Sequence, residues 1–165
     1  RSMDRDPKHL QAMLLRAHGH KGASFLEIYQ NCNIFNDGAF EIFTEKGTKA
    51  DEALFLENGQ PLLFGAAKDK GIRLDGFTPQ VVSLNDGYSA DDLWVHNEAD
   101  LYKAQILTRM FDDPRAESHL PRPFGVFYQA IRPTYEDMMA AQIAEAKAKR
   151  PADLDKLLRG NEVWE

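Results

Sequence analysis

The first thirty residues contain the signals of a capped helix, a glycine turn and a strand, in that order. Asp6 followed by Pro7 is typical of an N-cap with proline at the first helical position, where its missing N–H costs nothing. Gly19 can end the helix, and residues 24–30 are rich in strand-forming side chains. Apolar residues recur with helical spacing at Leu10, Met13, Leu14 and Ala17. This order predicts the closing half of a βαβ unit in a parallel sheet, and we expect its first strand to lie before Arg1.

The middle of the chain changes to short strands. Two apolar segments, 53–56 and 62–64, flank Asn58-Gly59, a dipeptide that strongly favours a hairpin turn. Pro61 cannot donate a ladder hydrogen bond, so the second strand is expected at a sheet edge. Two more extended segments are expected, at residues 71–76 and 81–84.

Helix signals return after residue 88. Ser89 with Asp92 has the form of a capping box, and Pro114 should stop the amphipathic helix that follows. That helix is marked by Ala99, Tyr102, Ile106, Leu107 and Met110. A polar loop over 112–123 should lead to a strand at 124–131.

The end of the sequence predicts two more helices. Thr134 with Asp137 is a cap signature, and a last short helix over 152–159 should end at Gly160. The apolar side of the first of these helices comprises Tyr135, Met139, Ile143 and Ala146. Core packing is the expected role of Phe124, Phe127, Tyr128, Met138 and Met139.

Composition limits the class of protein. The 165 residues are 43% hydrophobic and 28% charged, which suits one compact chain with a core. A formal net charge of −6 disfavours a nucleic-acid backbone as a partner. The longest apolar runs, such as residues 61–64, are far shorter than the roughly 20 residues needed to cross a bilayer. We expect neither nucleic acid nor a membrane as a partner.

The cysteine count and the start of the chain bear on its origin. Cys32 is the single cysteine, so no internal disulfide can form and the cytoplasm is the expected compartment. The sequence starts at Arg1 without an initiator Met and without an apolar signal segment. We therefore expect a fragment or processed product whose upstream half is missing.

Common catalytic signatures, such as glycine-rich phosphate loops, Gly-x-Ser-x-Gly and Cys-x-x-Cys, are absent from the sequence. No residue is assigned a catalytic role. Two polar clusters are alternative metal sites, His18 with His20 and Cys32, and His96 with Glu98 and Asp100. A solvated turn and a polar helix entry are more common explanations of such patterns.

Cys32 stands in a polar loop, residues 31–38, directly after the predicted strand. A single free cysteine is usually a small buried side chain. Here it is flanked by Asn31, Asn33 and Asn36, at the strand end where ligands collect in open α/β sheets. Both packing and ligand binding remain possible roles for the thiol at this point.

The run from His20 through Tyr29-Gln30-Asn31-Cys32 to Gly38 is long and specific. It resembles the segment that ends the thiamine-diphosphate-binding domain of 2-oxoacid:ferredoxin oxidoreductase β subunits, most closely the 2-oxoglutarate branch. Later segments resemble the C-terminal extension of these subunits, at residues 59–65, 70–73, 123–127 and 132–135.

The resemblance implies an α/β fold, with the end of a thiamine-diphosphate-binding parallel sheet over 1–38 and a mixed α+β C-terminal extension over 39–165. Enzymes of this family oxidatively decarboxylate a 2-oxo acid with coenzyme A, giving acyl-CoA, carbon dioxide and reduced ferredoxin. The implied cofactors are thiamine diphosphate, Mg²⁺ and a 4Fe–4S cluster. The implied partners are the α subunit, ferredoxin, the 2-oxo acid and coenzyme A.

In the family, three early cysteines and one in this loop hold the cluster, and Cys32 resembles the fourth ligand. Its loop neighbours Asn31, Asn33, Asn36 and Asp37 are expected near the cofactor. Since one cysteine cannot hold a cluster and the Gly-Asp-Gly plus Asn motif for magnesium is absent, we expect the chain alone to be inactive. The alternative function is a non-catalytic assembly module that docks the α subunit or ferredoxin.

Overall fold

The computed structural model describes residues 1–117, 119–150 and 152–160. They fall into two compact units, one of Arg1–His20 and Ser24–Ala130, the other of Lys21–Ala23 and the chain from Ile131 onward. Helices occur with both parallel and antiparallel strands, so the mixed α/β class is confirmed. The boundary expected after residue 38 concerns family relationship and stays a prediction. In the described part, no helix is long and apolar enough to cross a membrane.

The strands of the first unit are β1 (Ser2–Met3), β2 (Ile28–Tyr29), β3 (Ala53–Phe55), β4 (Leu63–Phe64), β5 (Lys70–Asp75), β6 (Thr78–Ser83) and β7 (Arg122–Phe124). Its α-helices are α1 (Pro7–Gly19), α2 (Lys49–Glu52) and α3 (Leu101–Arg109). Short 3-10 helices cover Glu41–Phe43, Leu84–Asp86 and Ala90–Asp92. The second unit contains α4 (Tyr135–Lys149) and α5 (Leu154–Arg159).

β1, α1 and β2 form a complete βαβ unit inside the chain. The two strands pair in parallel, with the register Ser2 to Ile28 and Met3 to Tyr29. The predicted helix cap is confirmed, because the Asp6 carboxylate accepts a hydrogen bond from the His9 backbone N–H at 3.1 Å. The prediction that the first strand lies before Arg1 is wrong, since Ser2 and Met3 form it. A strand of two residues leaves no alternating pattern to recognise.

The hairpin predicted around Asn58-Gly59 does not form. The turn itself is present, because the Gln60 N–H donates to the Glu57 carbonyl at 3.1 Å and Gly59 has a φ of 79°. The flanking strands join different sheets: β3 pairs in parallel with β7, and β4 pairs antiparallel with β5. The dipeptide specifies a turn locally, whereas distant residues supply the strand partners.

The extended segments predicted at 71–76 and 81–84 are confirmed as β5 and β6. They form an antiparallel pair in which Ile72 faces Val81, and β4 adds to the other edge of β5. Gly71 in β5 is required by close packing, because a Cβ there would lie 2.4 Å from Leu93 Cδ1. This three-stranded sheet is the antiparallel part of the fold.

Two hydrophobic clusters hold the first unit together. One comprises Leu54, Leu56, Leu62, Phe64, Ile72, Trp94, Leu107 and Met110. The other, the aromatic cluster, comprises Met3, Tyr29, Phe43, Ala53 and Phe124. Reciprocal backbone hydrogen bonds between Arg1 and Gly125, at 2.8 and 2.9 Å, join the end of β7 to β1. The βαβ unit and the later strands therefore share a core, and the predicted core role of Phe124 is confirmed.

Two predicted strands are observed in a shorter or shifted form. The segment 24–30 is paired only at Ile28–Tyr29. The strand predicted at 124–131 is wrong beyond Phe124, because β7 covers Arg122–Phe124 and Gly125 has a φ of 127°, outside the strand region. Val126 and Phe127 are partly buried without strand pairing, whereas Tyr128 is 37% exposed, so its predicted core role is wrong.

Capping signals in the later helices are confirmed. The Ser89–Asp92 and Thr134–Asp137 capping boxes both form. α3 starts after Asp100 and ends ahead of Pro114. α5 ends at Gly160, as predicted.

The second unit exposes the apolar side chains of its helices. Met138 and Met139 are 64% and 43% exposed, so their predicted core role is wrong. α5 exposes Leu154, Leu157 and Leu158. The helix predicted after Thr134 is confirmed as α4, but its residues are exposed on every side, so it buries no apolar face within the described residues.

Candidate functional site

The loop 31–38 begins at the carboxyl edge of the parallel strands β1 and β2. The chain leaves β1 at the same edge through Asp4, whose carboxylate accepts a hydrogen bond from the Asn31 backbone N–H at 3.3 Å. Cys32 therefore stands directly beyond a strand end, as expected. Asp4 carries no sequence signal of its own, because the two-residue strand β1 before it leaves no recognisable pattern.

The polar side chains of the loop bond to one another. Asn31 Nδ2 donates to Asn33 Oδ1 at 2.8 Å and to Asp37 Oδ1 at 2.9 Å. Asn31 Oδ1 accepts from the Gly38 backbone N–H at 2.9 Å. The Asn36 backbone N–H donates to the Cys32 carbonyl at 2.9 Å. Asn31 thus closes the loop by linking its start to its end.

The thiol of Cys32 is partly exposed. The nearby backbone N–H groups of Phe35 and Ile34, with that of Asn36, lower the pKa of Cys32 below its ordinary value. The negative charge of Asp37 opposes this shift. Because the thiolate is the form that binds metal, the loop favours the state in which cysteine is a ligand.

Large apolar side chains accompany the thiol at the surface. Ile34 is 84% exposed and Phe35 is 89% exposed. Adjacent apolar side chains this exposed are candidates for contact with another polypeptide. The loop therefore places a partly exposed thiol beside two exposed apolar side chains.

The two alternative metal clusters do not assemble. Over 1–117, 119–150 and 152–160, no three His, Cys, Asp or Glu side chains lie together as a metal site. Glu98 instead receives two hydrogen bonds from Arg16, at 2.7 and 2.6 Å. Asp100 caps α3 by accepting from the Lys103 N–H.

A cavity of about 640 Å³ beside α1 and β3 was not anticipated from the sequence. Two ion pairs line it, Lys49 with Asp6 at 2.7 Å and Arg16 with Glu98 at 2.6 Å. These pairs neutralise much of the charge that the lining contributes. No sequence motif marks the cavity, because its walls come from distant segments.

A search of curated proteins finds a relative named 2-oxoglutarate oxidoreductase subunit KorB, from Mycobacterium tuberculosis. The two sequences are 32% identical over 169 residues of alignment, which covers 99% of this chain. The chain is a homologue of this oxidoreductase subunit. The resemblance noted from the sequence is confirmed. The chain spans 44% of the length of the relative.

The homology to the oxidoreductase subunit covers both compact units. The Cys32 loop and the C-terminal helices therefore belong to one homologous segment. No family model matches the chain, and no solved structure matches it.

His96 is a buried histidine that lies outside the Cys32 loop. Its Nε2–H donates to the Val126 carbonyl at 2.8 Å, and its Nδ1 has no hydrogen-bond partner within the described ranges. Burial lowers the pKa of His96 below its ordinary value, and the Val126 carbonyl and Glu98 offset this only in part. The folded state therefore favours the neutral ring.

We expect His96 to reduce the stability of the fold as the pH falls. The folded pKa is depressed, so the unfolded chain binds the proton first, and stability is lost below the unfolded value of 6.5. The slope is at most about 1.4 kcal/mol per pH unit for one proton. Urea unfolding of wild type and His96→Gln between pH 8 and pH 5, roughly the range in which histidine titrates, checks this. The difference in free energy of unfolding between wild type and His96→Gln should shrink towards acid pH. Parallel plots of this free energy against pH would contradict the expectation.

Proposed function

We propose that this chain is the C-terminal part of the β subunit of a 2-oxoacid:ferredoxin oxidoreductase, most similar to the 2-oxoglutarate branch. The complete cytoplasmic enzyme would convert a 2-oxo acid and coenzyme A to acyl-CoA and carbon dioxide while reducing ferredoxin. The proposal is carried by the homology to a 2-oxoglutarate oxidoreductase subunit over 99% of the chain. Since the chain spans 44% of that relative, it would be inactive without the remaining polypeptide.

Cys32 would supply one thiolate to the 4Fe–4S cluster of the complete subunit. The donor chemistry suits this role, because the thiol is partly exposed and backbone N–H groups of Phe35 and Ile34 favour the thiolate. When bound, the cluster would carry single electrons towards ferredoxin. The same N–H groups would remain close to the sulfur and influence the redox potential.

Thiamine diphosphate and Mg²⁺ would bind mainly to polypeptide outside this chain. The side chains of Asn31, Asn33 and Asp37 bond to one another, which suits support of the loop better than direct contact with a cofactor. The Asn36 backbone N–H donates a hydrogen bond to the Cys32 carbonyl. We therefore propose that Asn31, Asn33, Asn36 and Asp37 shape the loop near the cofactor in the complete enzyme.

The complete enzyme, with this chain in its native context and its α subunit, should reduce ferredoxin only when 2-oxoglutarate and coenzyme A are both present. We expect kcat/KM for 2-oxoglutarate to exceed that for pyruvate by about tenfold or more, a discrimination that pocket contacts can supply. Ferredoxin reduction followed by absorbance measures this. A preference for pyruvate would refute the branch, and no reduction with either acid would refute the function.

Assembly of the complex is a second candidate function. The exposed helices α4 and α5 of the second compact unit favour it. α5 presents Leu154, Leu157 and Leu158 at 66%, 77% and 75% exposure. Residues spaced three and four apart share one face of a helix, so the three leucines form an apolar stripe. Such a stripe suits docking onto the α subunit.

Replacing Leu157 and Leu158 together by Asp should lower recovery of the complex with the α subunit by about tenfold, because buried apolar anchors dominate interface energy. Co-purification from cells that express both subunits measures the recovery. A control variant, Lys156→Ala with Arg159→Ala, changes the polar residues of the same helix. Equal recovery of the leucine variant and the control would rule out docking through this stripe.

A further inference from the structure

We propose that Arg122 is a positioning residue for the loop 31–38, acting through Tyr29 from a distant part of the chain. The two side chains meet although 93 positions separate them in the sequence. The importance of this loop for iron binding rests on the proposed function. The link from Arg122 through Tyr29 to the loop rests on contacts between side chains.

Arg122 is buried, with 6% of its surface exposed. Its Nη1 donates to the Tyr29 hydroxyl at 2.9 Å, and its Nη2 donates to the Asp112 carbonyl at 2.9 Å. The guanidinium lies 3.7 Å from the centre of the Phe111 ring. Among the described residues, no carboxylate oxygen lies within 4.0 Å of it. A buried cation without a carboxylate partner is costly, so stability alone is a poor explanation of this arginine.

Tyr29 connects the two ends of the loop. It is the last residue of β2, and its ring stacks on Phe40 with centroids 4.4 Å apart. Phe40 follows the loop by two residues, so one buried ring contacts the chain on both sides of it. Phe43 and Phe124 enclose the ring further, at 6.1 and 5.5 Å between centroids.

Stacking alone leaves the ring free to slide, because aromatic contacts are broad in angle and distance. The bond from Arg122 to the hydroxyl is charge-assisted and directional, so it fixes the far end of the ring. The loop beyond the ring is held mainly by its own hydrogen bonds, and residues 33–37 are exposed. Loosening the base of the loop should therefore increase the range of positions of the Cys32 sulfur.

The test uses Arg122→Met, Tyr29→Phe and the double variant, with Arg73→Met as the control. Arg73 also lies over a tyrosine ring, 5.9 Å from that of Tyr88, but far from the loop in sequence. Hydrogen exchange of the amides at 32–38 is measured in the full 165-residue chain. Arg122→Met and Tyr29→Phe should each speed exchange by about tenfold. The double variant should be no faster than either one, and the control should match wild type.

Readouts on the complete iron-loaded enzyme separate positioning from general support. The EPR signal of the cluster should broaden and its midpoint potential should shift in Tyr29→Phe, which keeps the ring and its stacking. Thermal unfolding identifies any variant that fails to fold. If Arg122→Met does not fold, the result for Tyr29→Phe decides the test. Loop exchange equal to the control, or additive effects in the double variant, would overturn the proposal.

Failure of this inference is distinguishable from failure of the proposed function. If Cys32→Ser removes iron while Arg122→Met leaves loop exchange unchanged, only the inference fails. If Cys32→Ser keeps its iron, the electron-transfer function fails, and the exchange data still decide whether Arg122 positions the loop.

Discussion

Cys32→Ser is expected to abolish the 4Fe–4S cluster of the complete enzyme. A serine hydroxyl stays protonated at neutral pH and is a poor iron ligand, whereas the Cys32 thiolate is favoured by the backbone N–H groups around it. Iron should fall by about four atoms per β subunit, the content of one such cluster. Iron analysis and the visible absorption of the purified enzyme measure the loss.

Ser24→Ala is the matched control for this experiment. Ser24 is an exposed residue near the same strand whose hydroxyl donates to the Ala17 carbonyl at 3.1 Å. Its removal should leave the iron content at the wild-type value. Full iron in Cys32→Ser would reduce Cys32 to a loop residue without a role in electron transfer.

Phe124→Ala should destabilise the first unit by about 3–5 kcal/mol, the usual cost of emptying a buried phenylalanine site. Phe124 is completely buried and contacts the rings of Tyr29, Phe43 and Phe55, with centroids 5.5–5.9 Å away. The space left behind lies between the βαβ unit and β3. Urea unfolding followed by tyrosine and tryptophan fluorescence gives the free energy of unfolding.

The same substitution at Phe77 is the control. Phe77 lies in the turn between β5 and β6 and is 83% exposed. Phe77→Ala should change the free energy of unfolding by less than about 0.5 kcal/mol, as expected for a surface site. Equal losses for the two variants would contradict the position of Phe124 in the shared core.

Local signals in the sequence were reliable where neighbouring residues decide the structure. The caps at Asp6 and Thr134 were predicted because each bonds to a backbone N–H three residues away. β1 was missed because two residues carry no pattern, and the hairpin at Asn58-Gly59 failed because strand pairing is decided at long range. The cap and spacing after Thr134 located α4 but not its exposure, since periodicity does not say what covers a helix.

The candidate site, too, could be predicted from the sequence only in part. The position of Cys32 beyond a strand end follows from the segment 24–30 and its polar loop. The N–H groups at Ile34 and Phe35 depend on the backbone path of the loop, which no residue type specifies. The link from Arg122 to Tyr29 joins residues 93 positions apart, so only the folded chain brings it into view.

The central claim is that the Cys32 sulfur is bonded to iron in the complete enzyme. Alkylation by iodoacetamide, read by mass spectrometry at this cysteine, tests it directly. In the iron-loaded enzyme Cys32 should remain unmodified, and removal of iron by a chelator should make it react at once. Equal alkylation of Cys32 before and after iron removal would contradict the account.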